Sequence, residues 1–190
     1  MMQLDPSGWV REARATPSPN QDTRPDASDI SLIVLHNISL PPGVFGGPQI
    51  EQLFSNTLDW DAHPYFQAIR GLRVSSHFLI RRSGQLLQFV ACGARAWHAG
   101  TSTWAGRERC NDFSIGIELE GSDDTPFTHA QYTALASLLP ALAGHYPITA
   151  IVGHEHIAPG RKTDPGPHFD WARVRREPAW AGKTLIWPNA

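Results

Sequence analysis

The sequence predicts an α/β domain with a central mixed β-sheet flanked by α-helices. Three observations carry that prediction. Strand-like and helix-like stretches follow one another in mixed order along the chain, which favours a sheet with helices packed on it. Leu32-Ile33-Val34-Leu35 is a continuous apolar run bounded by polar residues, while Phe113 to Glu120 alternates apolar with small or acidic residues, the period-two signature of a strand. Thr128-His129-Ala130-Gln131 has the Thr-x-x-Gln spacing of a capping box that opens a helix. With 190 residues and 41% hydrophobic composition, the chain is long enough for one full core. No repeat or linker divides it, so residues 1–190 are expected to form a single domain. Residues 1–30 then form an N-terminal extended segment and residues 178–190 a C-terminal tail.

Taken in order, residues 14–29 are rich in Pro, Ser, Asp and Ala and read as a loop leading into the first strand, over about residues 31–36. Pro41-Pro42-Gly43 and Gly46-Gly47-Pro48 punctuate a long loop. A short helix is expected near Gln49–Thr57, with Ile50, Leu53 and Phe54 on one face. Residues 58–72 read as irregular. The run from Ser75 to Val90 places two β-rich stretches around Ser83-Gly84, a hairpin pattern. In Phe113–Glu120 the alternation points Phe113, Ile115, Ile117 and Leu119 at a core and Ser114, Gly116, Glu118 and Glu120 the other way. The helix opened by Thr128 carries Tyr132, Leu135, Leu139 and Leu142 on one stripe, and Pro140 is expected to kink it or end its first part. Thr149–Val152 is a last apolar strand, and Asp170 is placed to cap a C-terminal helix.

Composition excludes several functions. The formal net charge is −2, and no Lys/Arg block forms a phosphate-binding stripe, so no nucleic-acid partner is expected. No apolar run approaches the ~20 residues of a membrane span. The first residues lack a basic n-region and an apolar h-region, so a cytoplasmic location and no membrane partner are expected. Two cysteines, Cys92 and Cys110, do not make a disulfide framework.

The chemistry concentrates in Gly153–Gly166, where His154, His156, Lys162 and Asp164 lie in a run stiffened by prolines and glycines. Imidazole and carboxylate ligands suit Zn²⁺. His36, at the end of the first apolar strand, is a candidate third ligand, and three protein ligands with one open position describe a catalytic zinc. His154 and His156 are two apart, so both could ligate or one could lie outside the coordination sphere. Asp164 precedes Pro165, which restricts the carboxylate's direction; a plain turn needs the same pattern. A surface role competes for Lys162. Glu118 and Glu120 share a strand face, and a carboxylate aimed into a metal pocket can take a proton from an attacking water and pass it to a leaving amine. Gly116 and Gly121 beside them suggest space above the strand. His77 and His98 sit beside aromatics, where lining a pocket and filling the core are equally good readings. His129 and His145 read as surface residues.

These residues sit in motifs that resemble a known family. His36-Asn37 after an apolar strand, Pro-Pro-Gly-x-Phe-Gly-Gly-Pro, Arg-Val-Ser-Ser-His-Phe-Leu-Ile, Arg-Ala-Trp-His-Ala-Gly, the Gly106–Gly121 segment and Arg-Lys-Thr-Asp-Pro-Gly-Pro-x-Phe-Asp-Trp occur in order. Together they resemble the AmpD-type 1,6-anhydro-N-acetylmuramyl-L-alanine amidases. These lie within the wider group of zinc amidases that includes T7-type lysozyme and the peptidoglycan recognition proteins. The likeness runs from about Gly8 to Trp171. It implies that group's fold, one Zn²⁺ held by His36, His154 and Asp164, and a catalytic pair, Glu118 and Lys162. It places Asn37, Arg73, Trp97, His98 and Arg109 in substrate-contacting segments, with the arginines holding stem-peptide carboxylates by bidentate hydrogen bonds. The implied partner is a small cytoplasmic muropeptide cut by a monomeric enzyme, with a link to wall recycling and β-lactamase induction. The rival expectations are an amidase of intact peptidoglycan and a non-catalytic recognition module.

Overall fold

The computed structural model describes residues 2–188. Short strands β1 (Arg14–Ala15) and β2 (Gln21–Thr23) precede the long strand β3 (Leu32–Ile38). Helices α1 (Gln49–Phe54) and α2 (Pro64–Ala68) come next, then β4 (Phe78–Ile80), β5 (Leu86–Gln88), β6 (Ala94–Ala96), β7 (Thr103–Trp104) and β8 (Arg107–Glu108). The chain continues through β9 (Ser114–Glu120), α3 (His129–His145), β10 (Ala150–Gly153), α4 (His154–Ile157) and α5 (Trp171–Arg175). The main sheet has the order β1-β5-β4-β9-β3-β10. β10, β3, β9 and β4 run parallel and β5 turns back antiparallel to β4, so the sheet is mixed as expected.

Side-chain parity divides the sheet into two working faces. Ile33, Leu35, Ile115, Ile117 and Leu119 pack against Tyr132, Leu135, Leu138, Leu139 and Leu142 of α3. The opposite face carries Leu32 and Val34 toward β10 and Leu79 and Leu87 toward Leu53, Phe54 and Phe66 of α1 and α2. Both faces of β9 are buried along its whole length, so its acidic residues do not face solvent.

The capping box at Thr128 and Gln131 is present, and the Gln131 amide also donates to the carbonyls of Ile80 and Glu120, tying the start of α3 to the sheet. Pro140 does not end this helix, which runs through to His145. Buried leucines on both sides of the proline hold the helix on the sheet, and that packing outweighs one missing hydrogen bond. Residues 58–72 are not wholly irregular. The α2 turn starts with Pro64, whose lost N–H is harmless at that position, and His63 Nδ1 accepts from Tyr65 N–H. The loop expected over 14–29 contributes β1 to the sheet edge and β2 to a pair with β6. The part of the tail up to residue 188 is docked: Trp180 meets Trp187 edge-on at 5.5 Å, and Ile186 pairs with the backbone of Thr149 and Ile151, covering the open edge of β10. Residues 189 and 190, and residue 1, lie outside the described residues.

Candidate active site

Parallel strands bring the chemistry together at their carboxyl ends, where clefts form in α/β sheets. β3 and β9 pair with His36 opposite Glu118, so both side chains emerge from the same face. β10 pairs with β3 up to Gly153 opposite Leu35, so His154 follows the end of its strand level with His36. The segment after α4 then folds back over this edge. Glu155 N–H donates to the Asp164 carbonyl at 2.9 Å, and Asn37 Nδ2 donates to the Pro165 carbonyl at 3.1 Å and to Asp123 Oδ1 at 2.7 Å. Asp164 is thereby held against the two histidines.

His36 Nδ1, His154 Nδ1 and Asp164 Oδ2 converge. The two nitrogens are 3.0 Å apart and the carboxylate oxygen lies 2.9 and 3.1 Å from them. His154 Nε2 lies 2.9 Å from the Ala99 carbonyl, so this nitrogen carries the proton and Nδ1 presents a lone pair. Burial pushes the pKa of the His36 imidazole down to about 4, against the pull of the adjacent Asp164 carboxylate, so the ring is neutral at pH 7. Burial raises the Asp164 carboxyl, but the close contacts of its Oδ2 with the His154 and His36 rings outweigh it and leave the group below the usual range. Two imidazole Nδ1 atoms and one carboxylate oxygen facing a common point form a cradle that could hold a metal ion. A tetrahedral Zn²⁺ with ligands at ~2.0–2.1 Å needs donor separations of about 3.3 Å, close to those observed.

Glu118 is 8% exposed and its Oε2 has no hydrogen-bond partner. Burial, then the neighbouring Asp164 charge, holds its carboxyl well above the ordinary value, with Lys162 opposing. Glu120 shares the face but not the site. Its oxygens accept from Arg81 Nη1 at 2.8 Å, Gly46 N at 2.7 Å and Arg82 N at 3.2 Å, so it anchors the long loop after β3. Glu118 and Lys162 line a cleft of about 730 Å³ together with His36, His154, Asp164, Asn37, Trp97 and His98, within the usual range for a small-molecule site. Its lining includes the apolar Leu40, Ile69, Leu72 and Val74 and the charged Asp123, Asp124, Arg161 and Lys162.

Other expected residues fall differently. His156 Nδ1 accepts from Gly153 N–H at 2.9 Å and its ring meets Trp171, so it sits outside the cradle. Arg73 and Arg109 are exposed and do not line the cleft. The Arg109 side chain is 71% exposed and pairs with Asp112 at 3.3 Å. The space expected above Gly116 is filled by the His98 ring, and that above Gly121 by Phe127.

One buried group, Arg24, escaped the sequence reading, and His77, for which lining a pocket and filling the core were both open, is a core residue outside the cleft. Arg24 is 3% exposed and has no carboxylate partner among the described residues. Its guanidinium donates to the carbonyls of Cys92, Asn111, Asp112 and Ser114. His77 packs beside it. Its Nδ1 accepts from Gly116 N–H at 3.0 Å, which leaves the proton on Nε2, 3.1 Å from the Ala94 carbonyl. No local signal marks Arg24, because all its partners lie far along the chain.

Side chains that could hold a metal ion and a buried carboxyl share this sheet-end cleft, the arrangement of a hydrolase site. The comparisons narrow that class. Residues 26–167 match the N-acetylmuramoyl-L-alanine amidase family, and the chain belongs to it. It is 60% identical over 176 residues to the 1,6-anhydro-N-acetylmuramyl-L-alanine amidase AmpD of Citrobacter freundii, covering 92% of this chain and 94% of that protein. The fold matches the crystal structure of a selenomethionine AmpD derivative with a TM-score of 0.88 at 59% identity, over 92% of this chain and 98% of that one. It also matches, at 27% identity and a TM-score of 0.61, the E. coli amidase AmiD in complex with anhydro-N-acetylmuramic acid-L-Ala-D-gamma-Glu-L-Lys, over 98% of this chain and 68% of that one.

Proposed function

We propose that this protein hydrolyses the amide between the lactyl group of 1,6-anhydro-N-acetylmuramic acid and L-alanine in small muropeptides. It acts as a monomer in the cytoplasm, in peptidoglycan recycling, and thereby limits β-lactamase induction. The observation that carries the reading is the convergence of His36, His154 and Asp164 beside Glu118 and Lys162 in one cleft, in a chain so similar to AmpD.

His36, His154 and Asp164 would hold one Zn²⁺. When bound, the ion supplies Lewis-acid polarisation of the scissile carbonyl and a lowered pKa for water in the cleft. Glu118 takes the proton from the attacking water as it adds to the carbonyl carbon. A carboxyl raised above its usual range works nearer neutral pH, where a proton shuttle is most effective. The Lys162 ammonium stabilises the negative charge that develops on the carbonyl oxygen. Glu118 then returns the proton to the nitrogen of the departing L-alanine. Asn37 holds the Asp164–Pro165 segment against β3, and Trp97 and the apolar lining residues take the sugar side of the substrate. Arg73 and Arg109 lie outside the cleft and would meet only a stem peptide that extends beyond it.

Release of peptide from purified anhydro-muropeptide, measured by chromatography with chelator, with Zn²⁺ restored, and beside intact sacculi, tests the proposal. Cleavage of the muropeptide that stops with chelator and returns with Zn²⁺ is the expected result. Preference for sacculi would make the protein an amidase of intact wall. Binding without cleavage by the zinc-loaded protein would make it a recognition module.

A further inference from the structure

His98 belongs by motif to a substrate-contacting segment, but both of its ring nitrogens are engaged inside the protein. Nδ1 lies 2.9 Å from His36 Nε2, and Nε2 lies 3.2 Å from Ser114 Oγ. We infer that His98 is a positioning residue for His36: it accepts the His36 Nε2 proton and so leaves His36 Nδ1 free to ligate. The inference rests on the proposed metal site at His36, His154 and Asp164.

Proton placement follows from the partners. His36 can present a lone pair at Nδ1, toward His154 Nδ1 and Asp164 Oδ2, only if its proton sits on Nε2. That proton needs an acceptor, and His98 Nδ1 stands at hydrogen-bond distance. His98 must then carry its own proton on Nε2, where the Ser114 hydroxyl oxygen accepts it. This is the pattern already made at His154, where the Ala99 carbonyl does the same work directly. A neutral ring serves where a carbonyl is not within reach.

The scaffold holds this ring from several sides. The N–H groups of His98 and Ala99 both donate to Asn111 Oδ1, at 3.1 and 2.8 Å. The Ser114 carbonyl is fixed by Arg24 at 2.7 Å. The ring lies on the bare backbone of Gly116, where a Cβ would come within 2.4 Å of it. Gly116 is therefore the seat of His98, and alanine there would push the ring off His36.

The test measures zinc affinity by chelator competition in the full chain carrying His98→Phe, His98→Asn or Gly116→Ala, with KM alongside. Phenylalanine keeps the ring and loses the acceptor; the asparagine Oδ1 can occupy the Nδ1 position. The expected result is a zinc dissociation constant raised roughly 10–100-fold by His98→Phe and by Gly116→Ala, largely recovered in His98→Asn, with KM little changed. ¹⁵N NMR of metal-free wild type should show the His36 proton on Nε2, and the His98→Phe spectrum should lose that single tautomer. Unchanged zinc affinity with a raised KM would make His98 a substrate contact and overturn the inference, as would equal losses in the Phe and Asn variants. If wild type binds no zinc, the metal reading falls, and the wild-type tautomer alone still decides for or against the relay. Thermal melts separate unfolding from either effect.

Discussion

Replacing Arg24 with methionine should destabilise the fold by about 5 kcal/mol. The guanidinium is 3% exposed and donates to four main-chain carbonyls, those of Cys92, Asn111, Asp112 and Ser114. A buried acceptor left without a partner costs ~1–3 kcal/mol, so four of them lose about 8 kcal/mol at ~2 each. Relief of a buried charge offsets part of this. Burial lowers the Arg24 pKa from 12.5 to about 10, which at ~1.4 kcal/mol per unit returns about 3 kcal/mol. Methionine fills much of the volume, so the cavity term is small. The remainder is a large part of a typical domain's stability. For a chain of this length it corresponds to a fall in Tm of about 10–20 °C. Urea and thermal unfolding of Arg24→Met against wild type measure it, and Arg24→Lys should fall between the two because an ammonium cannot reach all four carbonyls. A loss below about 1 kcal/mol in Arg24→Met would refute the reasoning, since it would mean those carbonyls find water or other partners at little cost.

Glu118→Gln should keep the bound metal and lose roughly 10²–10⁴-fold in kcat, because the amide cannot shuttle a proton; a near-normal rate would remove Glu118 from the mechanism. Lys162→Met should lower kcat by about 10²–10³-fold while KM changes little, and a change in KM alone would make Lys162 a binding residue. Asp164→Ala should abolish stoichiometric zinc by elemental analysis while His156→Ala retains it, since His156 caps α4 instead of facing the cradle; full occupancy in Asp164→Ala would reassign the ligand set. Stability should also fall in mild acid. His77 is buried neutral with its pKa lowered from 6.5 to about 3 by burial and by Arg24. A depressed folded pKa means the unfolded chain takes up the proton first, so this contribution is complete above pH 6.5 and erodes as pH falls toward 3. The loss from His77 alone is about 2 kcal/mol by pH 5, and a Tm that stays flat from pH 7 to 5 would show that His77 accepts a proton in place.

Much of the site was legible because it follows strand parity. Alternation along Ser114–Glu120 separates the α3 face from the cleft face, whereas Phe113, just before β9, packs with Leu32, Val34 and Val152 on the other side and not with Ile115, Ile117 and Leu119 as expected. The apolar run that leads to His36 points to a polar residue beside the cleft. The capping boundary at Thr128 and the cap at Asp170 are local chemistry and read directly. Two- and three-residue strands such as β6, β7 and β8 carry no period to read, and their existence depends on partners elsewhere. Arg24 sits in a Pro- and Asp-rich stretch and looks like the exposed Arg11 and Arg14; only the carbonyls of residues 92–114 make it a core residue.

The harder distinction is between groups that parity cannot separate. Glu118 and Glu120 lie two apart on one face, both buried, and either could be the proton carrier from sequence alone. What divides them is where counter-charge and donors arrive. Arg81 and the Gly46 and Arg82 amides close around Glu120, while Glu118 keeps an unpartnered oxygen toward the cleft, near Asp164 and Lys162. A carboxylate already hydrogen-bonded three times is stabilised as the anion and is a poor proton carrier; one held in a low-dielectric cleft without donors has the raised pKa that the task requires. The assignment of the base to Glu118 thus rests on the donors that the turn after β4 and the loop after β3 bring to Glu120, and on the place of Glu118 alone in the cleft. Arg81→Met should remove the cation beside Glu120 yet leave catalysis with Glu118, because Glu120 still accepts from two backbone amides and stays outside the cleft. A folded Arg81→Met variant that loses kcat as severely as Glu118→Gln would show that the two carboxylates share the work.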